Sequence, residues 1–134
     1  TLSEEQYSFA KERLGEKANI ALEDYRDQDG KFQNIVSIEM FEAVGERFWP
    51  VYFDKIKALL ADNGRAVIQT ITINEQDFPR YRTGGDFIRS YIFPGGMLPS
   101  PKRFYEEAEK AGFDYHMAKP ADLNENARLT PKIE

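Results

Sequence analysis

Behind the polar start Ser3-Glu4-Glu5-Gln6, the apolar positions Tyr7, Ala10 and Leu14 recur at helical spacing. A serine able to cap, acids in the first turn and Gly15 at the far end predict a helix there. Residues 19–23 alternate weakly and predict a short strand. Residues 24–30 form a polar loop closed by an Asp-Gly turn. Residues 33–40 hold Ile35, Val36 and Ile38 in a short apolar run, which predicts a strand buried on both faces. Residues 46–61 return to helical spacing with Phe48, Val51, Tyr52, Ile56, Leu59 and Leu60, and Asp62-Asn63-Gly64 should end that helix. Residues 65–73 are then the strongest strand, rich in β-branched side chains. Strand, loop, helix, glycine turn and strand make a βαβ unit, hence a parallel pair with a right-handed crossover.

Further on, residues 74–85 read as a polar loop and 86–93 as a short helix stopped by Pro94-Gly95-Gly96. Pro99-Ser100-Pro101 precedes a helix over 102–111, with Gly112 closing it. From Asp114 to Glu134 large apolar residues thin out and periodicity is lost, so a loose tail is expected. The pattern divides the chain into a domain over residues 1–113 and a flexible segment over 114–134.

Composition narrows the chemistry. With 134 residues, 41% hydrophobic and 31% charged, the chain has room for one core. A net charge of −5 argues against nucleic acid as the partner, because phosphate binding needs a basic face. There is no cysteine, which excludes disulfides and thiolate sites within this stretch. His116 is the single histidine, which counts against a histidine-ligated metal and a Ser-His-Asp triad. In the tail, His116 reads as exposed and idle.

Several segments hold residues fit for chemistry. Ser37 to Gly45 lies at the C-terminal end of a parallel strand, where open α/β sheets place their ligands, and it holds Glu39 and Glu42. These acids read either as an acid–base pair or as a solvated loop. Tyr91-Ile92-Phe93-Pro94-Gly95-Gly96-Met97-Leu98-Pro99 reads as the lining of an apolar pocket or as a loop packed on the sheet. Tyr25 reads as a stacking platform or a surface aromatic. Arg80, Arg82 and Arg89 read as a phosphate grip or, with Asp77 and Asp86 among them, as a mixed-charge face. Trp49 reads as core or helix-start packing.

Taken together, these segments resemble the cyclopropane-fatty-acyl-phospholipid synthase family, which includes the mycolic acid cyclopropane synthases. The residues that carry the resemblance are Thr1 to Gln6, Phe32 to Gly45, Arg65 to Ile73 and Tyr91 to Ser100, in the family's order and spacing. The resemblance implies an α/β fold: a truncated class I methyltransferase (Rossmann-like) sheet with flanking helices, using S-adenosylmethionine. Thr1, Gln6, Asp24, Tyr25 and Ile38 match cofactor-side positions. Glu42 matches the family's active-site glutamate, which helps hold a bicarbonate ion, and Gln69 and Ile71 match two further positions around that ion. Tyr91, Phe93, Pro94 and Gly95 match a wall of the acyl-chain tunnel. The implied reaction is methyl transfer to an unsaturated fatty acyl lipid, forming a cyclopropane or a methyl branch. Such an enzyme is expected in the cytoplasm, touching the inner membrane face peripherally.

The sequence also departs from the family pattern. Ala43 and Gln69 stand where histidines are common. The family's cysteine and glycine-rich cofactor loop would lie before Thr1, and its late tyrosine stretch does not follow Phe113. A piece of a longer enzyme is therefore expected, inactive and weak in cofactor binding by itself. Two other readings stay open: a lipid- or small-molecule-binding module without chemistry, and a homodimer paired through an open sheet edge.

Overall fold

The computed structural model describes residues 1–85, 87–117 and 129–132. They fall into two units, residues 1–30 and 31–134. The first unit is built on helix α1 (Glu4–Leu14), capped as expected by the Ser3 hydroxyl, which accepts from the Gln6 N–H. Residues 19–23, expected as a strand, have no sheet ladder among the described residues. Their backbone meets the first residue instead: the Thr1 amino group donates to the Ala21 carbonyl at 3.1 Å, and the Glu23 N–H donates to the Thr1 carbonyl at 3.0 Å.

The second unit opens with β1 (Phe32–Ile38), then a one-turn helix α2 (Phe41–Val44), helix α3 (Trp49–Leu59) and β2 (Leu60–Gln69). Strands β1 and β2 pair in parallel, the βαβ unit that the pattern predicts. Asp62-Asn63-Gly64 does not end α3. Leu60 turns directly into extended backbone, and the three residues form an irregularity inside β2, where the pairing slips between Phe32 and Asn34 and Asn63 takes φ 59°. The turn residues bend a strand that has already begun. Past Gln69, residues 70–73 leave the strand that the sequence extended to Ile73.

Helix α4 (Phe78–Thr83) replaces the loop read over 74–85, with Pro79 in its first turn, where a missing N–H costs nothing. A wide helical turn covers Ile88–Ile92, and α5 (Pro101–Lys110) follows with Ser100 as its cap. In the segment expected to be loose, β3 (Asp114–Met117) and β4 (Leu129–Lys132) pair antiparallel, giving the sheet order β1-β2-β4-β3. His116 lies on β3. Asp86 and residues 118–128 and 133–134, which complete the expected helix and tail, lie outside the described residues.

The core is aromatic. Phe41, Trp49, Tyr52 and Phe53 are fully buried, and Phe104 and Phe113 nearly so. The Phe41 ring lies 5.0–5.5 Å from those of Trp49, Tyr52, Phe53 and Phe104, within the range of favourable offset and edge contacts. A buried hydrogen bond from the Tyr52 hydroxyl to Ser37 Oγ, 2.7 Å, ties α3 to β1. Ser37 and its neighbour in register, Ile68, are buried on that face of the sheet. On the opposite face Val36 and Ile38 are 65% and 61% exposed. The expectation of a strand buried on both faces is thus corrected: among the described residues β1 is a terminal strand with one face covered by helix.

Candidate active site

The site begins where β1 stops. Glu39 takes φ 50°, and its N–H donates to the Gln69 carbonyl at 2.9 Å, carrying the β1–β2 pairing one residue further. The chain then turns into α2, because Phe41 enters the aromatic core, and Glu42 is left at the C-terminal edge of the sheet. Three backbone features hold it there. The Met97 N–H donates to the Glu42 carbonyl at 2.8 Å. Gly45, at φ 79°, lies so near the Phe93–Met97 turn that a Cβ would stand 2.8 Å from the Gly95 carbonyl oxygen. A Cβ on Gly96 would likewise crowd the carbonyl oxygens of Phe93 and Glu42. Only glycines let the two segments meet.

The Glu42 side chain is asymmetric in its partners. Its Oε1 accepts from the Thr70 hydroxyl at 2.8 Å and from the Ile71 N–H, while its Oε2 is buried and accepts from no group of the described residues. Beside it the Gln69 amide donates to Glu39 Oε1 across 3.4 Å. The structure therefore gathers the three residues matched to catalysis, Glu42, Gln69 and Ile71, at one sheet edge, and Glu39 joins them. Ile38, matched to the cofactor side, ends β1 beside them with its side chain exposed. Thr70 is the residue that sequence reasoning missed. A threonine just past a β-branched run suggests more strand, and only its burial reveals an inward hydroxyl.

A carboxylate with one oxygen spent on protein donors and the other bare can accept a hydrogen bond from a protonated ligand or receive a proton. A bicarbonate ion carries such an O–H, so the unpartnered Oε2 fits that ion, and the Gln69 amide can donate to its oxygens.

In the first unit the Thr1 hydroxyl donates to Gln6 Oε1 at 2.7 Å, which joins two of the cofactor-side residues. Asp24 caps a single helical turn over Tyr25–Asp27. Its Oδ1 accepts from the Arg26 backbone N–H and Nε, both at 2.9 Å, and its Oδ2 accepts from the Arg26 guanidinium at 2.7 Å. The Arg26 side chain first, and its backbone N–H second, hold the Asp24 carboxyl down at about 2. Partial burial raises the Tyr25 hydroxyl above its ordinary value. Asp24 Oδ2, with a single donor, can still accept one more hydrogen bond, so a ribose or adenine donor is compatible with this turn.

The Asp24 shift predicts a pH response. Because the folded value lies below the ordinary 3.8, the pair's contribution to the turn is complete above 3.8 and is lost as pH falls through about 2. It is small, since the pair is exposed and screened. Carbon-13 NMR of the Asp24 carboxyl should titrate near 2, and Arg26→Gln should return it toward 3.8.

The aromatic Pro-Gly-Gly segment divides. Tyr91 and Phe93 project into solvent, whereas Pro94 and Gly95 border an open cleft of about 800 Å³. That cleft is mixed in character, with Ala43, Val44, Phe48 and Pro50 beside charged side chains. In its wall Arg82 pairs with Glu46 at 2.8 Å, and Arg103 bridges Glu106 at 2.7 Å and Glu107 at 3.0 Å. Arg89 donates to the Tyr81 and Gly84 carbonyls. Arg82 and Arg89 are thus committed to internal partners, which favours the mixed-charge reading over a phosphate grip. Trp49 is core, with its indole N–H unpartnered among the described residues.

A parallel βαβ unit with its polar cluster at the C-terminal strand edge is the arrangement of class I S-adenosylmethionine-dependent methyltransferases. The mycolic acid cyclopropane synthase CmaA1, solved with SAH and CTAB, superposes with a TM-score of 0.72 at 27% identity, over 88% of this chain and 47% of that one. The chain belongs to the mycolic acid cyclopropane synthetase family, whose model matches residues 1–129. It is 44% identical over 105 residues to the tuberculostearic acid methyltransferase UfaA1 of Mycobacterium tuberculosis, covering 75% of this chain and 25% of that protein. It is 36% identical over 110 residues to the cyclopropane-fatty-acyl-phospholipid synthase of Escherichia coli, covering 81% and 28%. The chain therefore spans about a quarter of the length of these curated relatives.

Proposed function

We propose that this chain supplies the carboxylate edge of an S-adenosylmethionine-dependent methyltransferase acting on unsaturated fatty acyl chains of lipids. The observation that carries the reading is Glu42, held through Oε1 and bare at Oε2. Thr1, Gln6, Asp24, Tyr25 and Ile38 are the residues for the cofactor, which when bound supplies the methyl group. Glu42 and the Gln69 amide would hold a bicarbonate ion, which when bound would supply a base. Tyr91, Phe93, Pro94 and Gly95 guide the acyl chain. A lipid acceptor places the work at a membrane surface, reached peripherally; no helix among the described residues is long and apolar enough to cross a membrane.

The test is direct. The full-length gene product is incubated with methyl-labelled S-adenosylmethionine and vesicles of either monounsaturated or saturated phospholipid. Label should enter the acyl chains of the unsaturated vesicles alone, and mass spectrometry of those chains distinguishes a ring from a branch. Label appearing in a non-lipid acceptor, or in no lipid at all, overturns the reading.

A second reading, a homodimer paired edge to edge, has one observation behind it: among the described residues β1 ends the sheet, and it carries the exposed Val36 and Ile38. Sedimentation that depends on concentration, and ceases to in Val36→Lys, would favour it.

A further inference from the structure

Thr70 is 8% exposed and follows the last residue of β2, yet its hydroxyl is turned to Glu42 rather than to a neighbouring strand. A hydroxyl has one proton to donate, and the 2.8 Å contact to Glu42 Oε1 is much shorter than the 3.4 Å to the Ile71 carbonyl. The terminal torsion of a glutamate is soft and roughly two-fold, so a carboxylate held by one donor exchanges its oxygens easily. Two donors on one oxygen, from different directions, remove that freedom. The second is the Ile71 backbone N–H, which side-chain substitution does not remove.

We infer that Thr70 is a positioning residue: with the Ile71 N–H it commits Glu42 Oε1 to the protein and so fixes Oε2 as the oxygen that does the work. This rests on Glu42 being the working carboxylate. Thr70→Val keeps the shape and removes the donor. Loss of a well-aligned carboxylate should lower kcat by roughly 10- to 100-fold, with the KM for lipid and the affinity for S-adenosylmethionine unchanged. Thr70→Ser, which restores the hydroxyl, should recover activity to within about threefold, on the same argument. If Thr70 acts through Glu42, adding Thr70→Val to Glu42→Gln should cost nothing more.

The experiment measures these variants in the full-length gene product, along with the Ile71 amide resonance after labelling with nitrogen-15 isoleucine. That resonance should move in both Glu42→Gln and Thr70→Val, because all three groups share one oxygen. Unfolding followed by Trp49 fluorescence separates lost folding from lost turnover. A Thr70→Val enzyme with the wild-type kcat, a serine variant that does not recover, or a loss that adds fully to Glu42→Gln overturns the inference. If the wild-type protein methylates no unsaturated lipid while the Ile71 resonance still answers to both substitutions, the functional reading falls and the grip of Thr70 on Glu42 stands. An Ile71 resonance indifferent to both overturns that grip.

Discussion

Replacing Glu42 with glutamine should leave the affinity for S-adenosylmethionine within about twofold while cutting turnover by about 10²- to 10⁴-fold, the usual contribution of a positioned acid–base group. The geometry says why an isosteric change is so damaging. Thr70 and the Ile71 N–H both donate to Oε1, so the glutamine must present its carbonyl oxygen to them. Its amide nitrogen then stands where Oε2 was, and the bare acceptor becomes a donor. A ligand O–H that met a lone pair now meets another N–H. Titration calorimetry with the cofactor, beside the labelled-methyl assay on unsaturated vesicles, reads the two effects separately. Undiminished turnover would show that Glu42 is not the working carboxylate.

Truncating Phe41 to alanine should destabilise the fold by about 3–5 kcal/mol, the range for removing a buried aromatic ring from a packed core. Four aromatic rings lie within 5.5 Å of the Phe41 ring, and none has an obvious route to fill the space. Such a loss is a large share of a total that is typically about 5–15 kcal/mol. Trp49, the one tryptophan in the chain, is fully buried against Phe41 and is therefore the natural probe. A urea transition followed by its emission should shift to much lower denaturant with little change in slope. Because Phe41 also sets the start of α2, residual folded protein should show lowered activity as Glu42 loses its backing. A midpoint unchanged in Phe41→Ala would mean that the cluster does not bear on stability as described.

What could be read in advance follows from how local each signal is. The cap at Ser3, the spacing to Leu14 and the stop at Gly15 are decided within one helix, and that helix stands as expected. The parallel β1–β2 pair was legible because the apolar period changes from strand to helix and back. The end of α3 was not, because Asp62-Asn63-Gly64 serves equally as a helix stop and as a bend inside a strand. Pro79 misled in the opposite direction: the proline that marks a loop also sits comfortably in a first helical turn. An apolar run such as Ile35-Val36 announces a strand but not how many of its faces will be covered. At the site, spacing alone left Glu39 and Glu42 ambiguous, and only the family resemblance singled out Glu42. Thr70 had no sequence signal of its own, since its role comes from where β2 stops.

The bond from the Met97 N–H to the Glu42 carbonyl joins main chain to main chain, so its consequences reach beyond either side chain. Residues 42 and 97 can drift in identity without loosening it, proline at 97 excepted. The length of the Phe93–Met97 turn and the two glycines at the closest approach, Gly45 and Gly96, have no such latitude. An engineer wishing to broaden the range of acceptors should therefore recontour Tyr91 and Phe93, whose side chains are free to vary. Inserting even one residue between Phe93 and Met97 would drag the carboxylate out of register and trade selectivity for silence.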